Sequence, residues 1–290
     1  MKISMRVRYL FSLAACMLLL GCATSPKTAS PAPLESESAS LARGLRDAGD
    51  AAVRNGSPRT ALEAYLQALE IEPSNADVFA GMSLAYRQLG ARPLASSAIQ
   101  RAVQLRPDDP NLLQAAGLLM TEAHRWELAA PYLQRAVDKG ATSWQIFNAL
   151  GVCADMQANY PAASTYYAQA IALQSSALLY NNQGYSFYMA QNYGAAEKSF
   201  EAALGLEPAN KLAWRNLALV RMRQGELDEA LKAAFKGGDM HSALNDIGYI
   251  AMLDGRTSLA KFLFEQAIEV SPTKHYPRAE QNLQRLSSSP

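Results

Sequence analysis

The residues that could perform catalysis are few and stand apart in this sequence. Histidine occurs only at His124, His241 and His275, and none stands in an HExxH spacing that would place metal ligands on one helix face. The sequence also lacks a CxxC pair, a Gly-rich phosphate loop and a GxSxG motif. Cys153 falls at an apolar position of a predicted helix, so we interpret it as a small buried side chain rather than a nucleophile. We therefore predict a protein that is not an enzyme and needs no metal or cofactor.

The first residues carry the pattern of a secretory signal peptide. Lys2, Arg6 and Arg8 precede an apolar run over residues 9–20, and this run ends just before Cys22. A bilayer-spanning helix needs about 20 apolar residues, so the run is too short to cross a membrane and favours a signal peptide.

Leu-Leu-Gly-Cys at residues 19–22 resembles the lipobox of bacterial lipoproteins. The resemblance implies a covalent lipid on Cys22, removal of residues 1–21 and acylation of the new amino terminus. In enterobacterial lipoproteins Asp after the cysteine favours the inner membrane, and here that residue is Ala23. The resemblance thus implies lipid anchoring at the bacterial outer membrane, facing the periplasm. An ordinary signal peptide that happens to contain cysteine is the alternative.

Composition bounds the remainder of the chain. Hydrophobic residues make up 49%, which is ample for a core, and the net charge of +1 argues against a nucleic-acid partner. Residues 22–40 hold the lipidated cysteine and a stretch rich in Ser, Pro and Ala, which predicts a flexible tether.

A small residue recurs through most of the chain at a spacing of 33 or 34 residues, which shortens to 30 once. It is always alanine, at Ala61, Ala95, Ala129, Ala163, Ala196, Ala230 and Ala260. Small residues also stand twelve positions earlier, and mostly large apolar ones four positions later. These offsets resemble the tetratricopeptide repeat, a pair of antiparallel helices. The resemblance implies an all-α fold, a right-handed α-solenoid of about seven repeats over residues 41–272, with a capping helix and frayed tail over 273–290.

The sixth repeat departs from the pattern. It is four residues short, ends in Lys236-Gly237-Gly238, and has Ala234 where an aromatic residue is usual. We predict a short, weakly packed second helix. A hinge, a gap that a partner fills, and a shortened turn without a role are all compatible with this sequence.

The tetratricopeptide resemblance also implies a partner-binding groove lined by the first helices. In the C-terminal repeats, the positions that would line it are rich in Asn, Tyr and Met. Amides can pair with a peptide backbone, while Tyr and Met are enriched at interfaces. An alternative is that some of these Tyr and Met side chains belong to the core. The predicted groove residues are Asn148, Asn181, Asn182, Tyr185, Tyr188, Met189, Asn216, Leu219, Met222, Asn245, Tyr249 and Met252.

Two segments carry a closer resemblance. They begin LLYNNQGYSFYMAQNYGAAEKSF (residues 178–231) and NDIGYIAMLDGRTSLAKFLF (residues 245–272). Together with the lipobox and tether they resemble the TadD family of Tad (Flp-type) pilus assembly lipoproteins. The resemblance implies a pilotin-like scaffold that binds a helix or peptide segment of a secretin or other pilus-assembly component. A periplasmic adaptor that docks peptidoglycan hydrolases or proteases is the alternative.

Overall fold

The computed structural model describes residues 37–288, which form fifteen α-helices and contain no strand. No helix in this part is long and apolar enough to cross a membrane. The helices are α1 (Glu37–Arg54), α2 (Pro58–Ile71), α3 (Ala76–Gln88), α4 (Arg92–Leu105), α5 (Pro110–Glu122), α6 (Trp126–Asp138), α7 (Trp144–Met156), α8 (Tyr160–Leu173), α9 (Ala177–Met189), α10 (Tyr193–Leu206), α11 (Lys211–Gln224), α12 (Leu227–Gly237), α13 (Met240–Leu253), α14 (Thr257–Glu269) and α15 (Pro277–Ser288).

Helices α1 to α14 form seven consecutive pairs, and each pair packs against the next. The odd-numbered helix of a pair is the first helix of a repeat, and the even-numbered helix is the second. The α-solenoid of about seven repeats that the alanine period predicted is therefore confirmed.

Local sequence explains where most of the first helices begin. Most first helices follow a residue whose side-chain oxygen accepts a hydrogen bond from a backbone N–H two or three positions on, which satisfies a donor that the helix leaves unpaired. Asn75 does so for α3 and Asp109 for α5. The predicted stops are also present, since Pro73 and Pro107 lie just beyond α2 and α4.

The turn between the two helices of each repeat contains one residue with a positive φ angle. Glycine adopts this conformation at little cost, and four repeats use it. The seven positions are Gly56, Gly90, His124, Ala158, Gln191, Gly225 and Gly255. His124, at φ 58°, is thus a turn residue whose ring contacts Trp126 edge to face, which accounts for its presence without catalysis.

The ends of the described region differ slightly from the predictions. Helix α1 begins at Glu37, so residues 37–40 are helical rather than part of the tether. At the other end, α15 is the predicted capping helix, and Leu283 and Leu286 pack against the core. Helix α15 includes Ser287 and Ser288. The signal peptide, Cys22, the remaining tether and residues 289–290 lie outside the described residues.

The second helix of the sixth repeat is short, as predicted. Helix α12 has 11 residues, against 13 or 14 in the other second helices. The predicted weak packing is wrong at its end, because Gly237 is buried against α11. A Cβ atom on Gly237 would lie 2.7 Å from Cγ of Arg215.

In four of the seven repeats, the two helices meet where a glycine faces an aromatic ring. A Cβ atom on Gly184 of α9 would lie 2.7 Å from Cε1 of Phe200, which is fully buried. We expect Gly184→Ala to lower the free energy of unfolding by about 1–3 kcal/mol, because the ring has to move within a packed core. Urea denaturation measures the change.

Gly44→Ala is the matched control. Gly44 lies within α1 with no atom within 4 Å of its added methyl group. We expect that substitution to raise the free energy of unfolding by about 0.5–1 kcal/mol. Equal effects at the two glycines would contradict the close approach at Gly184.

Candidate functional site

A cavity of about 590 Å³ opens among the first helices α9, α11 and α13, the end of α12 and the capping helix α15. This volume lies within the range of pockets that bind small molecules or side chains of a partner. Tyr185 and Tyr249 are large apolar side chains on its wall that remain 46% and 38% exposed. The cavity coincides with the C-terminal part of the chain in which the groove was predicted.

Half of the predicted groove residues line this cavity and half do not. Those in its wall are Tyr185, Tyr188, Asn216, Leu219, Asn245 and Tyr249. Those outside its wall are Asn148, Asn181, Asn182, Met189, Met222 and Met252.

The asparagines bond to one another across neighbouring repeats. In each bond, the amide nitrogen of an asparagine on one first helix, or on α15, donates to the amide oxygen of an asparagine on the first helix of the repeat before it. The bonds run from Asn182 to Asn148 at 2.9 Å, from Asn216 to Asn181 at 2.9 Å and from Asn282 to Asn245 at 3.0 Å. The last two bonds are buried, so these amides join neighbouring repeats, a role that the sequence analysis did not foresee. Asn216 and Asn245 also line the cavity wall.

Two of the predicted methionines belong to the core, which is the alternative that the sequence left open for this set. Met222 is fully buried in the C-terminal core, and Met252 packs against the same core. Met189 is exposed but lies outside the cavity wall. Apolar packing between repeats explains Met222 and Met252. The predicted large side chains that do line the cavity are therefore mainly tyrosines.

Tyr188 is held in place by its neighbours. Its ring lies between those of Tyr185 and Tyr193, with centroid distances of 6.1 and 5.8 Å. Arg223 Nε donates a hydrogen bond to the Tyr188 hydroxyl at 3.3 Å, and the same guanidinium pairs with Asp254. This cluster fixes the aromatic side of the cavity before any partner arrives.

The unusual sixth repeat contributes Ala234 and Gly238 to the cavity wall. In other repeats Tyr65, Tyr167, Phe200 or Phe264 fills the space between helices and is almost completely buried. The corresponding residue of the sixth repeat is Ala234, which is much smaller, is buried, and lines the cavity wall. The sequence left three interpretations of this repeat open: a hinge, a gap that a partner fills, and a shortened turn without a role. The geometry favours the gap.

Sequence reasoning missed the positive charge of the site. Arg215 of α11 and Arg278 and Arg285 of α15 line the cavity, and Asp246 is the acidic residue in its wall. The face of α15 that bears Arg278, Gln281, Asn282 and Arg285 is the one turned to the cavity. Their spacing of three, four and seven residues marks one helix face and could have revealed this role.

The titratable groups whose pKa is raised in the core have structural explanations. Burial raises the pKa of Asp155, whose carboxylate accepts hydrogen bonds from Tyr167 at 2.8 Å and Ser186 at 2.6 Å. Burial likewise raises the pKa of the Cys153 thiol, which disfavours the reactive thiolate. Across residues 37–288 no group of His, Cys, Asp and Glu side chains could hold a metal ion.

Stacked helix pairs and a cavity between first helices define an α-solenoid repeat protein. Models of the tetratricopeptide repeat match residues 46–110, 116–177, 181–239 and 241–274. The chain therefore belongs to the tetratricopeptide repeat family, whose fold is in general a non-catalytic scaffold for protein interactions. No curated protein sequence matches the chain significantly.

Several solved structures share the fold. A tetratricopeptide repeat protein from Parabacteroides merdae aligns with a TM-score of 0.63 at 16% identity, covering 86% of this chain and 100% of its own. Pseudomonas aeruginosa pilF aligns at 0.57 with 17% identity, covering 69% and 92%. YrrB, described as having an unusual peptide-binding site, aligns at 0.55 with 16% identity, covering 67% and 98%. At these identities the similarity establishes the fold alone.

The bond between Asn216 and Asn181 gives a direct test of the joined repeats. We expect Asn216→Leu to lower the free energy of unfolding by about 1–3 kcal/mol, because the buried Asn181 amide loses its partner. Adding Asn181→Leu should recover part of this loss, since no buried polar group is then left unpaired. Urea denaturation of the two single variants and the double variant measures the coupling; strictly additive losses would contradict the pairing.

Proposed function

We propose that this chain is a non-catalytic scaffold that holds a segment of a protein partner in the cavity among α9, α11, α13 and α15. The observation that carries the proposal is the space left by Ala234, which opens beside the partly exposed Tyr185 and Tyr249. Tyrosine offers a large apolar surface with a polar tip and loses little side-chain entropy on binding, which is why it is enriched in interfaces. The shared fold with YrrB supports a peptide ligand.

The partner segment needs at least one apolar side chain. Leu219, Ile247 and Ile250 line the cavity beside the tyrosines, so an apolar group placed there loses contact with water. An amphipathic helix or an extended segment with such an anchor fits this wall.

We further propose that the scaffold works in the assembly of a Tad (Flp-type) pilus, as a lipoprotein on the periplasmic side of the outer membrane. The support comes from the sequence: residues 19–22 resemble a lipobox, and residues 178–231 and 245–272 resemble the TadD family. The partner would then be a secretin or another pilus-assembly component. A peptidoglycan hydrolase or protease captured in its place would favour the adaptor alternative.

The two exposed tyrosines should decide partner capture. We expect Tyr185→Ala combined with Tyr249→Ala to weaken binding of the partner at least about tenfold, since buried aromatic anchors carry much of the binding energy at interfaces. Co-purification of the full chain from envelopes of its own bacterium, with the captured proteins identified by mass spectrometry, gives the measurement.

Phe262→Ala is the control for this experiment. Phe262 is an aromatic residue on α14, 55% exposed and outside the cavity wall. Its loss should leave capture unchanged. Capture by the double tyrosine variant at the original level, with helical content intact, would refute the cavity as the binding site.

Lipid attachment can be tested at the N-terminus. We expect Cys22→Ala to abolish incorporation of labelled palmitate and to release the protein from the outer-membrane fraction, because the anchored acyl chains are lost. Cys16→Ala lies within the same apolar segment and should retain both label and location. Equal labelling of the two variants would show that Cys22 is not the lipid site.

A further inference from the structure

We infer that the cavity binds a carboxylate of its peptide ligand, next to the apolar anchor of that ligand. Helix α15 is then part of the binding surface as well as a cap. This inference rests on the proposed scaffold function and specifies the chemistry of its ligand. It follows from the charge in the cavity wall, the packing around Arg215 and the placement of α15.

Charge is concentrated in this cavity. Arg215, Arg278 and Arg285 lie in its wall with a single acidic residue, Asp246, which leaves a net charge of +2. Within residues 37–288, the side chains of Arg215 and Arg278 form no hydrogen bond or ion pair. Guanidinium groups bind carboxylates through paired hydrogen bonds and stay charged at every physiological pH. Two cations without partners at an apolar cavity thus match an acidic ligand.

The end of the sixth repeat makes room for Arg215. A Cβ atom on Gly237 would lie 2.7 Å from Cγ of Arg215, and one on Gly238 would lie 3.3 Å from its Nη2 atom. A side chain at position 237 would clash with the Arg215 stem and with the α11 backbone, whereas one at position 238 would only crowd the guanidinium. The same repeat therefore provides both parts of the site, because Ala234 leaves the apolar space and the glycine pair accommodates the cation beside it.

The capping helix contributes two cations at a fixed distance. Arg278 and Arg285 are separated by seven residues, which places them about 10 Å apart along α15. The buried bond from Asn282 to Asn245 lies between them and holds α15 against α13. A terminal cap needs a polar outer face for solubility, and on α15 part of that face, with both arginines, borders the cavity.

The N-terminal half of the chain offers an instructive comparison. A smaller cavity of about 300 Å³ there is lined by Leu84 and Leu118, with Arg87 as its basic residue. Arg87 already forms an ion pair with Glu122 at 2.9 Å. We therefore expect the C-terminal cavity, and not the smaller N-terminal one, to prefer ligands with a carboxylate.

The test selects ligands without assuming a sequence. The full-length chain, purified in detergent, is presented with random dodecapeptides in two displayed libraries, one with internal peptides and one with free carboxyl termini. We expect enriched peptides to carry an apolar residue close to Asp, Glu or the terminal carboxylate. Enrichment in the first library identifies a side-chain carboxylate, and enrichment confined to the second identifies the chain terminus.

Substitutions then separate charge from anchoring. We expect Arg215→Gln with Arg278→Gln to weaken the enriched peptides about tenfold or more and to reduce the salt dependence of binding. Arg59→Gln, at an exposed position of α2 outside the cavity wall, should change neither. Circular dichroism confirms that each variant keeps its helices.

The outcomes distinguish this inference from the proposed function. Neutral peptides that bind wild type and the arginine variant equally, but are lost in the Tyr185→Ala, Tyr249→Ala variant, would overturn carboxylate recognition and leave the scaffold intact. Failure to enrich any peptide that depends on the tyrosines would overturn both. Self-association that the arginine substitutions abolish would place a second copy of the chain in the cavity and refute a peptide ligand.

Discussion

The close approach of the two helices within each repeat is the constraint on which this structure depends. All seven periodic alanines on the second helices are completely buried, so a larger side chain at any of them would push the pair apart. Glycines of the first helices impose the same limit, since Gly151 and Gly184 pack against the rings of Tyr167 and Phe200. One contact of this kind, repeated along the chain, fixes the helix pairs, their order and the positions that face the neighbouring pair.

The candidate site lies where this rule is relaxed. The sixth repeat has Ala234 in place of a space-filling side chain and Gly237 and Gly238 at the end of a shortened helix. Ala234 and Gly238 line the cavity together with Arg215. In a solenoid, each repeat contacts only its neighbours, so a local departure changes one interface and leaves the others intact. The departure from the repeat pattern therefore points to the candidate site better than the pattern itself.

The fold was predictable because the close approach appears in the sequence as a strict period. Cavity residues were predictable only in part, because position within a repeat does not determine what the next repeat places beside it. Tyr188, Met222 and Met252 occupy the same position in successive repeats, yet Met222 alone is fully buried. The asparagine bonds likewise depend on pairs of residues about 35 positions apart, each of which looks like a free amide on its own. Arg278 and Arg285 were missed because they lie beyond the last repeat, where the family pattern assigns no groove.

The distribution of the site over several helices has an energetic consequence. Aromatic anchors stand on α9 and α13, while the cations stand on α11 and α15, so a ligand that contacts all of them crosses three successive interfaces. Solenoid stability is approximately a sum of repeat and interface terms, and a ligand that binds only the stacked arrangement adds its binding free energy to those interfaces. The tyrosines and the neighbouring apolar residues supply area for affinity, whereas the guanidinium groups favour acidic ligands and repel basic ones. Recognition and the integrity of the C-terminal repeats are therefore coupled, because neither set of side chains forms a site unless repeats five to seven and α15 are stacked together.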